Sequence, residues 1–297
     1  MDNDLFVGDD NGYSNGFYFS WINSGTGENQ FAPQLMVRPL LWSLDSIASL
    51  ATVNSSTIGQ TMITPSDITV EVPDEDELPY TGLLFYNSTY MSVHKGFADS
   101  LGTTIGVVGP ASGAEAAQDL VHSIIDSQDP KGWDTQLDNE LVFEFSRGRV
   151  WRSWVSANEG FDILLDSEAR LGTLLSSVEL GITFRYGDGL ARSYPTLLLS
   201  SSRITNPIAV NQGWYIYANI KGGYIFNQIF ADGNTYEKSR SIDYDPENIG
   251  IGLGFSYAWH DLAITFAIND SSIIEDKSKE QLQDLSRYGT FTISWNH

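Results

Sequence analysis

The chain of 297 residues has no cysteine, few cations and no long apolar run, and each shortage removes a class of protein. Without cysteine there is no disulfide, no thiolate metal site and no cysteine nucleophile, although the absence suits an oxidising compartment as well as any other. Sixteen Lys and Arg stand against 38 Asp and Glu, a net charge of -22 that would repel a phosphate backbone and excludes nucleic acid as a partner. Apolar runs stop at three or four residues, as in Ile163-Leu164-Leu165, whereas a spanning helix needs about 20, so no transmembrane helix is expected. The start Met1-Asp2-Asn3-Asp4 carries neither a basic nor an apolar leader, which fits a cytosolic chain or a mature form equally.

What is abundant is aromatic: 14 Tyr, 15 Phe and 8 Trp, with 41% apolar residues in all, enough to rule out a disordered chain. Their period is two. Phe17, Phe19 and Trp21 alternate with Tyr18 and Ser20; Leu141, Phe143 and Phe145 alternate with Val142 and Glu144; Ile251, Leu253, Phe255 and Tyr257 alternate with glycines and Ser256. The pattern predicts strands at about 16–24, 54–64, 82–94, 98–107, 139–150, 152–168, 172–186, 195–204, 212–221, 223–231, 248–258, 261–268 and 286–296, with polar loops at 23–30, 232–248 and 269–286. An even number near twelve is expected. Many of these strands have the roughly 9–11 residues of a tilted bilayer crossing, one face bulky and the other Gly, Ser, Thr and Asn. A soluble sandwich with so many exposed aromatics would aggregate. The reading is an all-β, antiparallel transmembrane barrel of about twelve strands in a single domain, 1–297.

Acidic residues gather at Glu71 and Asp74 to Glu77, either as a solvated loop or as a surface for hard cations, which prefer clustered carboxylates. One stretch breaks the alternation. Ser112 and Glu115 read as a capping box, and no Pro or Gly follows as far as Ile125, so one loop helix is expected at about 112–125, lying over the barrel wall. Gln118 and His122 share a face of it, four residues apart. Of the other histidines, His94 ends a strand, His260 sits beside Asp261 in a tight turn, and His297 is terminal, which leaves His122 as the best-placed base.

Around 109–140 the chain resembles a known family. Gly109-Pro110-Ala111-Ser112-Gly113, Ala117-Gln118, His122, and the run from Pro130 to Leu137 followed by Asn139-Glu140 are similar to the signature of the lipid A 3'-O-deacylases of Gram-negative outer membranes. Asn3 to Phe6, Asp10 to Gly16, Thr64 to Ile68 and Pro79 to Gly82 resemble that family's first strands and loops.

The resemblance implies a twelve-stranded outer-membrane barrel with its site between the wall and the loop helix, facing the outer leaflet, and lipid A or lipopolysaccharide within membrane lipid as its surroundings and substrate. It implies Ca²⁺-assisted removal of the 3'-O-linked chain, with His122 as base, Gln118 beside it, Ser14 and Asn3 at substrate or water, and Asp4, Asn3 and His122 toward the metal. Zn²⁺ is the alternative ion, and a monomer is expected. A His-activated water with a Lewis acid suits a chain that lacks both cysteine and a Gly-x-Ser-x-Gly elbow.

Two positions depart from the family pattern. Its lysine after the Thr-Pro-Ser run is replaced here by Asp67-Ile68-Thr69-Val70, so the role of that cation is either missing or taken by Lys95 or Lys131. Its glutamate after the histidine is Gln128, with Asp126 or Asp134 as substitutes. Trp295 takes the place of a terminal aromatic. A phospholipase-like ester hydrolase and a non-catalytic porin or adhesion barrel are the alternative readings.

Overall fold

The computed structural model describes residues 2–3, 15–45, 47–125, 130–195, 197–198, 213–270 and 288–295. Among the described residues twelve antiparallel strands close into a barrel in chain order. They are β1 (Asp2–Asn3), β2 (Asn15–Thr26), β3 (Ala51–Ile63), β4 (Thr81–Val93), β5 (Phe97–Val108), β6 (Glu140–Val155), β7 (Phe161–Gly172), β8 (Leu175–Gly187), β9 (Gly213–Gln228), β10 (Glu247–Trp259), β11 (Leu262–Asp270) and β12 (Tyr288–Trp295). Closure removes every sheet edge, which an isolated membrane sheet could not tolerate.

The expected number of strands is met, but by different segments. The predicted 152–168 is divided by the turn at 156–160, where Glu159 has a φ of 57°, while the predicted 212–221 and 223–231 are joined through Gly222 and Gly223 into one strand that ends at Gln228, residues 229–231 being helical instead. Glycine pairs in a strand read as turns when sequence alone is scanned, yet here ladder hydrogen bonding carries the chain through. The predicted strand 195–204 is not one where it is described: Leu190–Ser193 is a short helix, α2, and 197–198 continue as a 3₁₀ turn. The loop at 23–30 begins later than expected, since β2 runs to Thr26. His260 does lie in the tight β10–β11 turn, with a φ of 53°.

Alternation assigns the two faces. Tyr18, Thr61, Asn87, Ser100, Glu144 and Arg170 line a lumen cavity of about 240 Å³. Neighbours of opposite parity point outward, and on β8 to β12 they are almost wholly apolar: Leu180, Trp214, Ile220, Leu253, Phe255, Ile264, Ile293 and Trp295 are all exposed. This is the pattern of a lipid-facing barrel wall. The lumen is polar and ion-paired. Arg152 and Arg185 both bind Asp162 at 2.6 and 2.7 Å, and Arg185 also donates to Ser193 Oγ and Leu190 O, drawing α2 into the barrel. Tyr194 and Leu198 then pack on Val53, Met91, Val150 and Leu164. At the other end Phe230, in the short helix α3 (Ile229–Asp232), packs with Leu83, Leu174 and Ile63. Side chains therefore fill the barrel near both mouths.

One sector of the outer wall is different. On β3, β4 and β5 the outward positions include Thr52, Asn54, Ser56, Ser88, Ser92, Asp99 and Thr103, all buried. They align in rungs across the strands, Ser56 with Ser88 and Thr103, and Thr52 with Ser92, Asp99 and Arg149. Polar groups on a lipid-facing wall need partners, and the β2–β3 connection supplies them from outside. Phe31 N donates to Thr52 Oγ1 at 2.9 Å, Asn54 Nδ2 to Ala32 O at 2.8 Å, Gln34 Nε2 to Ser56 Oγ at 3.0 Å and Thr103 Oγ1 to Met36 O at 3.0 Å. Ser88 Oγ donates to Gln34 Oε1. The 3₁₀ segment Leu35–Ser43 follows, with Val37 fully buried against Tyr90 and Leu101. The connection ends with Arg149 on Asp45 at 2.6 Å and Leu50 N on Val93 O at 2.7 Å. It forms a belt on the barrel exterior whose outer residues, Leu35 and Trp42 among them, are exposed and apolar.

Candidate active site

The same sector carries the loop helix, above the belt. The helix, α1, is Ala114–Ile125, two residues shorter at its start than expected. Ser112 belongs to a 3₁₀ turn, Pro110–Ser112, and the first helical bond runs from Ala117 N to Gly113 O at 3.2 Å. Ser112 and Glu115 therefore do not form a capping box: Ser112 is buried against the wall and Glu115 is exposed.

The residues around α1 explain why the glycine-rich stretches are where they are. A side chain at Gly82, on the outward face of β4, would run into Ser112 Oγ and Ala114 Cβ, so glycine there lets the helix start lie directly on the strand. Gly109 turns the chain out of β5 with a φ of 91°, a conformation that favours glycine. Gln60 Nε2 on β3 donates to Ser112 O at 2.7 Å, and Asn139 Oδ1 accepts from Ala111 N at 2.7 Å. The run Pro130 to Leu137 folds back beneath the helix. Trp133 is buried among Met62, Tyr80 and Ala114, its ring 5.0 Å from that of Tyr80, and Leu137 N donates to Tyr80 O at 3.1 Å. Burial pushes the Tyr80 phenol up to about 12, so it remains neutral and contributes packing rather than charge.

Gln118 is neither solvated nor directed at open space. It is 3% exposed, and its Oε1 accepts from Trp133 Nε1 at 2.7 Å, which fixes the wall-facing side of α1. His122 follows one helical turn later; of it the structure describes the backbone, as it does for Asn3. Asp4 and Ser14 lie outside the described residues, as do Asp126, Gln128 and His297. Asn3 pairs with Gly289, and the register of Asp2 with Gly16 carried on by one residue sets Asn3 opposite Asn15.

Asn15 is a residue the sequence reading passed over. It pairs with Met62, shares the outward parity of Phe17, and is 7% exposed with no partner for its Oδ1 among the described residues. The signal was present, since Asn15 closes the Asp10 to Gly16 stretch, but nothing in a strand start marks which asparagine is buried.

Of the two substitute cations, Lys95 is in the β4–β5 turn at the barrel end away from α1, which removes it from the site. Lys131 is in the β5–β6 connection, its N donating to Ile68 O at 2.9 Å. That contact brings it beside the loop where the sequence reads Asp67-Ile68-Thr69, with Asp67 held below the usual carboxylate range by hydrogen bonds from Thr69. Asp134 is exposed in the turn Trp133–Thr135. The acidic loop is tied down rather than assembled around an ion: Glu77 accepts from Ser66 and Arg240 binds the carbonyls of Pro73 and Asp74. Among the described residues no three His, Asp or Glu side chains converge as a metal site.

The model of the family described as outer membrane protein LpxR matches residues 1–297. The chain belongs to the LpxR family. Among solved structures it is similar to LpxR from Salmonella typhimurium, with a TM-score of 0.74 over 100% of this chain and 98% of that one at 14% identity, a likeness of fold. No curated protein sequence matches the chain. The resemblance to the lipid A 3'-O-deacylases thus holds as a family assignment, and the LpxR fold makes this an outer-membrane protein.

Proposed function

We propose that the chain removes the 3'-O-linked acyl chain of lipid A by hydrolysis at the outer leaflet, in the cleft between α1 and the wall of β2 to β4. The observation that supports this best is the seating of α1: a catalytic helix for a lipid substrate should lie against the lipid-facing side of the wall, and Gln118, Trp133 and Tyr80 hold it there. His122, one turn beyond the buried Gln118, is the base.

In the reaction His122 takes a proton from water as the water oxygen bonds to the ester carbonyl carbon. The tetrahedral intermediate then collapses, the bond from carbon to the sugar oxygen breaks, and the proton passes to that oxygen, giving a fatty acid and a free 3'-hydroxyl. Gln118 and Trp133 act through position, since the base must stay within hydrogen-bond reach of water.

The oxygen donors fit a hard cation: Asn15 Oδ1 is buried and unpartnered among the described residues, Asn3 sits opposite, and Asp4 follows. Asn3, Asn15 and Asp4 would hold Ca²⁺, which when bound polarises an ester carbonyl and offsets repulsion between an anionic lipid and a chain of charge -22. Lys131 takes the place of the family lysine as a partner for lipid A phosphate. The porin alternative is disfavoured by side chains that pack the lumen near both mouths.

Mass analysis of lipid A and phospholipids from cells with and without the protein tests the reading. Lipid A lighter by one 3'-acyl chain is the expected result. Lyso-phospholipid in its place would move the assignment to a phospholipase, and no change in either would leave a barrel without this activity.

A further inference from the structure

Between the belt and α1 two outward rungs of the wall stay open. Ile58 pairs with Tyr86, and Tyr86 with Ile105; one rung higher Gln60 pairs with Leu84. Ile58 is 49% exposed, Leu84 40% and Ile105 49%, whereas the rung above ends in the buried Met62 and Gly82 and the rung below is the buried Ser56, Ser88 and Thr103. The result is an apolar bay with a ceiling and a floor, open sideways to the membrane past Phe19 and Leu141. From Met62 to Ser56 its strand spans about 20 Å.

The floor is the apex of the belt. Gln34 is tied to both Ser56 and Ser88, Met36 O is held by Thr103, and Val37 is fully buried, so Leu35, 75% exposed between these anchors, rides on a fixed support.

We propose that this bay seats the acyl chain of the substrate lipid and that the belt apex at Gln34–Met36, through Leu35, sets the length of chain accepted. The proposal rests on the lipid hydrolase reading above. The chain is the chosen occupant because the bay is continuous with the lipid-facing wall and begins directly beneath the helix. A chain moving from lipid onto an apolar wall gains little hydrophobic energy. Selection therefore works by steric limit: a chain longer than the bay must bend outward at Leu35, and a chain that fits stays straight beneath the ester.

The test uses the full chain reconstituted in liposomes with lipid A molecules that differ only in 3'-acyl length, each variant checked for barrel folding by heat-modifiable migration. Leu35→Trp should shift the preferred chain shorter and Leu35→Gly longer, each by about tenfold in the ratio of rates between neighbouring lengths, the scale for small apolar differences. Leu253→Trp, on the far wall, should shift nothing. In parallel, lipid A with a diazirine at the end of its 3'-acyl chain should label Gln34–Met36 and the Ile58–Ile105 rung, a readout independent of turnover. Hydrolysis with an unchanged length profile in both Leu35 variants, or label spread evenly over Leu253 and Ile264, would overturn the proposal while leaving the hydrolase standing. Label at the apex without any hydrolysis by the unaltered protein would uphold the seat and sink the reaction assigned to it.

Discussion

The outer wall of β8 to β12 and the outer wall of β3 to β6 belong to one barrel and follow opposite rules. The first is bare, and its exposed outward residues are large and apolar, Leu, Ile, Val, Phe, Tyr and Trp. The second carries Asn54, Ser56, Ser88, Asp99, Arg147 and Arg149 outward, each of them covered by or bonded to the chain's own belt or a neighbouring strand. Lipid offers no hydrogen bonds, so polar residues on a wall are tolerated only where protein lies over them. A polar stripe on the outside of a barrel is thus a sign of something seated there, and here the belt is seated on it, with α1 above it on Met62 and Gly82.

The largest effect should come from the cation. EDTA at fixed ionic strength is expected to abolish lipid A deacylation and Ca²⁺ to restore it, with Asp4→Ala and Asn15→Ala each needing more Ca²⁺ for half the rate; an unchanged rate under chelation would leave the carbonyl to protein groups alone. Next, His122→Ala should lower the rate by at least ~100-fold in a folded barrel, while His260→Ala, in the β10–β11 turn at the end away from α1, should not change it. If both behave alike, the covered sector has no special claim to the chemistry.

The wall comparison itself is sharpened by stability measurements in lipid. Leu253→Arg places on the bare wall the residue type that the covered wall carries at Arg147 and Arg149, and should cost about 2–4 kcal/mol. Gln34→Leu removes the belt's partner for Ser56 and Ser88 and should cost about 1–3 kcal/mol, where Leu253→Ala should stay within about 0.5 kcal/mol. On the reaction itself the smallest effect is expected for Trp133→Phe. It keeps the ring against Tyr80 but strips the donor from Gln118, and about a tenfold fall in kcat at unchanged KM would mark a helix held slightly out of place.

Much of the barrel was legible because a strand's period of two writes inside and outside directly into the sequence, as in Leu253, Phe255 and Tyr257 against Gly252, Gly254 and Ser256. The errors fell where local punctuation and ladder disagree. Gly222-Gly223 looks like a turn and is a strand, and the predicted strand 152–168 hides the turn at 156–160. Of the site, α1 and its Gln118–His122 spacing were visible, while the bond that fixes Gln118 was not, because Trp133 lies fifteen residues away, beyond the end of α1.

Sequence by itself determined the class of protein, through alternation, charge and the absence of any long apolar run, and it determined which helix stands apart. Only the tertiary structure decided that Asn54, Ser56, Ser88 and Thr103 face outward beneath a belt, that Lys95 lies at the barrel end away from α1 while Lys131 lies beside Ile68, and that Asn15 is a buried oxygen beside Met62. The physical reason is that alternation fixes parity within one strand, but the meaning of a face, lipid, lumen or the chain's own cover, is set by segments far away in sequence that only folding brings against it.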